Sequence, residues 1–229
     1  MLKKWLIMIK TEKMDIIYED NHLLVVNKPA GMLVQGDRTG DISLLEVSKK
    51  YIKQKYNKPG KVFLGLVHRL DRPVSGVLVF ARTSKAAARL SEQIRSKKIE
   101  KQYSALISGR IEDNGNYVDY ISRKNYKSYI DKKNGKYAEL NFKRIGYNAG
   151  ISLIVVNLIT GRHHQIRIQF ASRGYPILGD FRYGSTISFH ERTLALHATS
   201  ITLEHPTHKN KYTFKADFGT SWSKYLQRM

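Results

Sequence analysis

The amino-acid sequence predicts an α+β fold with a largely antiparallel or mixed central sheet, flanked by helices and loops. Three observations lead there. Strand-like runs outnumber helical ones. They seldom alternate strictly with helices, which argues against a doubly wound parallel sheet. The chain also has 229 residues, 41% hydrophobic and 26% charged, enough to bury a sizeable core as one domain or at most two small ones.

The elements follow in order. Residues 15–18 and 23–27 read as short strands joined by the polar turn Glu19-Asp20-Asn21. A helix is predicted over 44–56, where Ser43 and Glu46 have the spacing of a capping box and Asn57-Lys58-Pro59-Gly60 ends it. Residues 62–67 and 77–81 are apolar runs that suit buried strands. A second helix is predicted over 85–98, capped by Thr83 or Ser84, with Ala87, Leu90 and Ile94 at helical spacing. A strand over 103–107 follows. Residues 117–147 alternate weakly and are dense in Lys, Arg and Tyr, while 137–142 alternate at period two. Residues 151–159 form the most strand-like run. A third helix is predicted over 163–172, with Gly174 placed as its C′ glycine. Late strands are expected over 193–203 and 212–217. Residues 1–14 read as an N-terminal extension and 15–229 as one domain.

Charge and composition narrow the function. Forty Lys and Arg face nineteen Asp and Glu, a formal net charge of +21. Such a field attracts a polyanion, either nucleic acid or an anionic membrane. A membrane fits poorly, because the only early apolar run, residues 5–9, is flanked by Lys3, Lys4 and Lys10 and is too short for a signal core or a span. A soluble cytoplasmic protein is expected. The chain has no cysteine, which excludes disulfides, thiol nucleophiles and iron–sulfur or zinc–thiolate sites. Gly60-Lys61-Val62-Phe63-Leu64-Gly65 has the glycine spacing of a phosphate loop, but Leu66 stands where the lysine must be. No Gly-x-Gly-x-x-Gly occurs. The pairs His163-His164 and His205/His208 lack carboxylates at useful sequence spacing, so no metal site is expected.

Two segments carry chemistry. In His68-Arg69-Leu70-Asp71-Arg72-Pro73-Val74-Ser75-Gly76, Asp71 sits between two arginines in a connection between apolar strands. Cationic neighbours keep a carboxylate ionised, which suits a nucleophile or base and not a general acid. The same pattern also fits a salt-bridged aspartate that only orders its turn. In Thr160-Gly161-Arg162-His163-His164-Gln165-Ile166-Arg167, a glycine turn after a strong strand opens a cationic helix, a place where phosphate can dock. The alternative is a solvated cationic helix face.

In these and further segments the chain resembles the RluA-type RNA pseudouridine synthases. The Asp71 segment is similar to that family's His-Arg-Leu-Asp-Arg-x-Thr-Ser-Gly motif. The 161–167 stretch is similar to its Gly-Arg-x-His-Gln-Ile/Leu-Arg, and 179–184 to its Gly-Asp-x-x-Tyr-Gly. Val26-Asn27-Lys28-Pro29-Ala30-Gly31, Lys101-x-Tyr103-x-Ala105, and Leu196-His197-Ala198 with His205-Pro206 extend the resemblance in family order from about residue 15 to 218. Val74 departs from the usual Thr, and Gln169 stands where His often follows.

The resemblance implies a pseudouridine-synthase-like fold and isomerisation of specific uridines in structured ribosomal or transfer RNA, with no metal or cofactor. It implies Asp71 as the catalytic carboxylate, Arg167 as its paired cation, and Tyr103 as the ring that packs on the target base. A non-catalytic RNA-binding or chaperone module is the alternative that charge alone would satisfy. A flipped-out base is implied, with Arg69 a candidate to fill the vacated space. Candidate RNA contacts are Lys28, Arg69, Arg72, Arg162, His163 and Gln165, together with Arg123, Lys124 and Lys127 in the tyrosine-rich stretch. There, cations interleave with Tyr120, Tyr126, Tyr129, Tyr137 and Tyr147, a pattern that suits phosphates and bases together. A monomer is expected.

Overall fold

The computed structural model describes residues 14–229 apart from Arg192; the expected extension up to residue 13 lies outside the described residues. In chain order the strands and helices begin with β1 (Ile16–Glu19), β2 (Leu23–Lys28), α1 (Leu44–Lys55), β3 (Gly65–Leu66), β4 (Ser75–Ala81) and α2 (Ser84–Arg95). Then come β5 (Glu100–Ser108), β6 (Asn114–Lys124), β7 (Lys127–Ile130), β8 (Lys136–Asn148) and β9 (Ile151–Leu158). The chain ends with α3 (Gln165–Ala171), β10 (Leu196–Glu204), β11 (Lys211–Lys215) and the single turn α4 (Ser223–Leu226). Two compact units result. One runs to Ile99 and takes in Thr202–Asp217; the other comprises Glu100–Ile201 and Phe218–Met229. The fold is α+β, as the run pattern predicts.

In the first unit, β2 lies between β1 and β4 and pairs antiparallel with both, in a register that sets Val25 opposite Val79. Leu23 to Val26 and Val77 to Ala81 are fully buried. Both faces of these strands are covered, which is why they read as unbroken apolar runs and not as alternation. Helix α1 starts where the capping box places it. The Ser43 hydroxyl accepts from the Glu46 N–H, and the Glu46 carboxylate accepts from the Ser43 N–H at 2.8 Å. Thr83 caps α2 through the Ala86 N–H. This helix stops at Arg95, three residues before the predicted end, because Lys97 turns left-handed at φ +55°. The strand expected over 62–67 shrinks to β3. Phe63 is half exposed, and only Gly65 and Leu66 find partners, on Ala81 and Phe80.

In the second unit the strand order is β5-β9-β8-β6-β7, antiparallel throughout. Ala138, Leu140 and Phe142 of β8 are buried. Phe142 and Tyr117 of β6 pack against Phe170 of α3, with ring centroids 5.4 and 5.2 Å away. The opposite face of β6 and β8 carries tyrosines and cations to solvent. Asn125 and Tyr126 both adopt positive φ, 47° and 63°, and close the β6–β7 hairpin with a two-residue turn. Helix α3 begins two residues late, since His164 takes the left-handed region at φ +54°. Gly179 also has positive φ, +81°, and a Cβ there would lie 2.4 Å from the Thr193 carbonyl oxygen. Only glycine fits, so the 179–184 turn is pinned against the chain before β10.

Candidate active site

The Asp71 segment lies in the first unit, between β3 and β4. Leu70 and Val74 are buried and anchor it from both sides. The Val74 N–H donates to the Asp71 carbonyl at 3.0 Å, closing a four-residue turn. His68 accepts the Val79 N–H on Nε2 at 3.0 Å, which fastens the start of the segment to β4. Asp71 itself is partly exposed, and Arg69 and Arg72 are exposed.

Lys28 holds this turn from beneath. It is fully buried at the end of β2, and its ammonium donates to the carbonyls of Pro29, Met32 and Arg72 at 3.1, 2.8 and 3.1 Å. An ammonium has three N–H donors, and all three are used. The Gly31 N–H also donates to the Arg72 carbonyl, and Arg72 Nε returns a bond to the Gly31 carbonyl. Arg72 further pairs with Asp41 at 2.8 Å. The Lys-Pro-Ala-Gly turn and the Asp71 turn are therefore one hydrogen-bonded body. Burial pushes the Lys28 ammonium down to about 7, while the Asp71 carboxylate pulls it upward and Arg72 lowers it further. Lys28 stands among the expected RNA contacts; its position makes it a support for the turn.

In the second unit, Arg167 is 5% exposed and Asp180 is 1% exposed. Arg167 Nε and Nη2 donate to the two Asp180 carboxylate oxygens at 2.7 and 2.8 Å, a bidentate pair. The guanidinium also lies 5.1 Å from the Tyr183 ring centroid. Sequence reasoning assigned no role to Asp180; its signal was its place in the 179–184 motif. Tyr103 is buried in β5 opposite Val156 of β9.

The loop before α3 is wired by amides. Gln165 is buried, and its Oε1 accepts from the Thr160 hydroxyl and the Arg162 N–H at 2.7 and 3.0 Å. Its Nε2 donates to the Glu139 carbonyl and to Gln169 Oε1, both at 3.1 Å. Gln169 passes the chain on to Asp119 of β6 at 2.8 Å. Gln165 thus shapes the loop from inside, while Arg162 is exposed, with Nε on the Tyr137 carbonyl. His163 is partly covered. Its Nδ1 lies 2.9 Å from the Ser128 hydroxyl, which donates to the His163 carbonyl at 2.6 Å. The Ser128 N–H donates to the Tyr183 hydroxyl, which also meets His164 Nδ1, both at 2.8 Å. Ser128 and Tyr183, neither singled out from sequence, root β7 on this loop.

Arg123, Lys124 and Lys127 are exposed around the hairpin turn. Arg123 lies over the Tyr126 ring and Lys127 over the Tyr183 ring, at 5.4 and 5.5 Å. Tyr120, Tyr126, Tyr129, Tyr137 and Tyr147 are all exposed, Tyr126 by 62%. The fold gives the His205/His208 pair a carboxylate neighbour that is distant in sequence. It brings Asp20 against His205 at 2.8 Å, with His208 close by. The donor set does not suit a cation. His205 Nδ1 accepts the N–H groups of Thr207 and His208, so the proton on Nε2 faces Asp20. The group is a hydrogen-bonded clamp.

Residues 22–172 match the family described as RNA pseudouridylate synthase, a span that contains Lys28, Asp71, Tyr103 and Arg167. The chain belongs to this family. It is an RNA pseudouridine synthase, an isomerase that forms pseudouridine in RNA. Among its relatives, ribosomal large subunit pseudouridine synthase C of Buchnera aphidicola subsp. Schizaphis graminum is 36% identical over 228 residues, covering 94% of this chain and 70% of the relative. The protein of the same name from Vibrio vulnificus is 35% identical over 222 residues, covering 93% and 69%. The solved structure of human RNA pseudouridylate synthase domain containing 4 shares the fold with a TM-score of 0.81, at 23% identity, covering 99% of this synthase and 96% of that chain.

Proposed function

We propose that this synthase isomerises specific uridines of structured RNA, with Asp71 as the catalytic carboxylate. Ribosomal RNA is the first candidate, because several relatives at 34–36% identity are named for the large ribosomal subunit. Transfer RNA is the second. The observation that carries the reading is the Asp71 turn itself. It holds a partly exposed carboxylate on a rigid double turn that Lys28 fastens, inside the span that matches the family.

The reaction breaks the C1′–N1 bond of uridine and forms a C1′–C5 bond. The proton lost from C5 balances the one gained at N1. A uridine inside folded RNA first leaves its stack, at a cost of a few kcal/mol that pocket contacts offset. Asp71 then acts ionised, on the base, on the sugar carbon or on a ribose proton. Arg167 is the cation that the family resemblance offers it as a partner. Asp180 holds the Nε–Nη2 edge of that guanidinium. Tyr103 packs on the base and receives the C5 proton. Arg69, exposed beside Asp71, occupies the space the base vacates. Arg72, Arg162 and His163 are the further RNA contacts of this reading, and the hairpin cations add phosphate contacts.

The test uses unmodified transcripts of ribosomal and transfer RNA, wild-type enzyme and Asp71→Asn, with chemical mapping of pseudouridine. Wild type yields product at discrete positions. The variant binds the same RNA and loses at least about 10³-fold in rate, as removal of an essential group in the transition state requires. Product from Asp71→Asn near the wild-type rate would remove Asp71 from the chemistry.

A further inference from the structure

Lys101 stands in β5 two residues before Tyr103, so both side chains leave the strand on one face, with Cα atoms about 6.6 Å apart. Most of the lysine is covered. Burial alone pushes its ammonium below the ordinary lysine range, with no charged group acting on it. Among the described residues, no hydrogen bond and no ion pair reaches its Nζ. The Nζ is not one of the fully enclosed unpartnered side-chain atoms, so it keeps an opening to water at the end of a covered stem. A half-withdrawn charge of this kind gains by taking an anionic partner.

The ammonium does have an open neighbour. It lies beside Gly161, where a Cβ would stand 3.5 Å from Nζ. Gly161 is exposed and starts the loop that carries Arg162 and His163. A missing side chain at that point leaves the ammonium reachable. The site thus offers one partly desolvated cation that no protein group pairs, on the strand face of an aromatic residue, with a bare stretch of backbone for a wall.

We propose that the Lys101 ammonium binds a phosphate of the RNA at the target nucleotide, beside the Tyr103 ring. The assignment rests on the proposed role of Tyr103 at the target base. An incoming phosphate supplies what the fold withholds. It pairs the charge and accepts its protons, and charge-assisted bonds of this kind are strong where water is thin. Lys101 then acts as a binding residue that registers the strand so that one nucleotide meets the ring.

The experiment measures the Kd of an unmodified large-subunit ribosomal RNA transcript against salt concentration, for wild type, Lys101→Gln, Lys101→Arg and Gly161→Val. Lys101→Gln should raise Kd roughly tenfold to a hundredfold at low salt. It should also flatten the log–log salt dependence by about 0.7–0.9, the share of one phosphate contact. Lys101→Arg should keep the slope. Gly161→Val leaves the lysine in place but lays carbon over its ammonium, and should lose the same increment. Slopes equal to wild type in Lys101→Gln or in Gly161→Val would overturn the proposal. Tyr103→Ala, assayed for product in parallel, reports on the base-packing role separately. Full activity in that variant would fail the Tyr103 assignment whatever the Lys101 slopes show.

Discussion

Lys28 shows how much a single side chain can govern at the residue scale. Its ammonium is buried at the end of a strand and spends its donors on three carbonyls of two turns. Its ionisation falls to about 7 in the folded protein, against about 10.4 in the unfolded chain. The sign follows from linkage. Between these values the unfolded state binds the extra proton, so stability rises with pH from about 7 towards 10. Below pH 7 both states are protonated and the folded protein carries the full cost of the buried charge. The wild type should therefore gain on the order of 3 kcal/mol relative to Lys28→Met between pH 7 and pH 9.5. Urea unfolding of both proteins at the two pH values checks this, and parallel pH dependences would contradict it. Asp180 governs in another way. Its two oxygens fix the plane of the Arg167 guanidinium, so the cation has one orientation.

The β6–β7 hairpin belongs to the scale of elements. Its exposed cations and tyrosines alternate around a tight turn, and bound RNA would meet charge and rings together. Reversing Lys124 and Lys127 of the hairpin, together with Lys132 and Lys133 of the turn that follows β7, to Glu should raise the RNA Kd by at least about tenfold at 100 mM salt, with the melting temperature little changed. Filter binding and thermal unfolding measure the two effects. Unchanged affinity would show that the hairpin stands away from the RNA. How legible each element was in the sequence follows from its physics. The capping box of α1 was readable because Ser43 and Glu46 interact locally. The buried runs of β2 and β4 were readable because both faces are covered. The long strands β6 and β8 gave only weak alternation, since their outward face carries tyrosine, which counts as apolar while standing in solvent. The start of α3 was misplaced because nothing local marks His164 as left-handed. Among the candidate site residues, Asp71 and Arg167 stood out by motif. The Lys28 support, the Asp180 pairing and the Ser128 tie join residues 13 to 44 positions apart, and no window along the chain reveals them.

For the whole molecule, charge decides. A net +21 makes the unbound protein repel itself, and any polyanion that binds only the folded state stabilises it. Thermal unfolding should rise by several degrees when an unmodified ribosomal RNA transcript is added at saturating concentration, and raising sodium chloride should cancel the difference. A melting point indifferent to RNA would mean that binding does not draw on this field. Within the second unit, one tie carries a mechanical consequence. Ser128 lies in the second residue pair from the hairpin turn and grips both His163 and Tyr183, while Tyr126 at the tip is exposed. The hairpin is therefore moored close to its tip. A partner that pulls on the tip would draw first on the loop of Arg162 and on the Tyr183 ring, which lies against the Arg167 guanidinium.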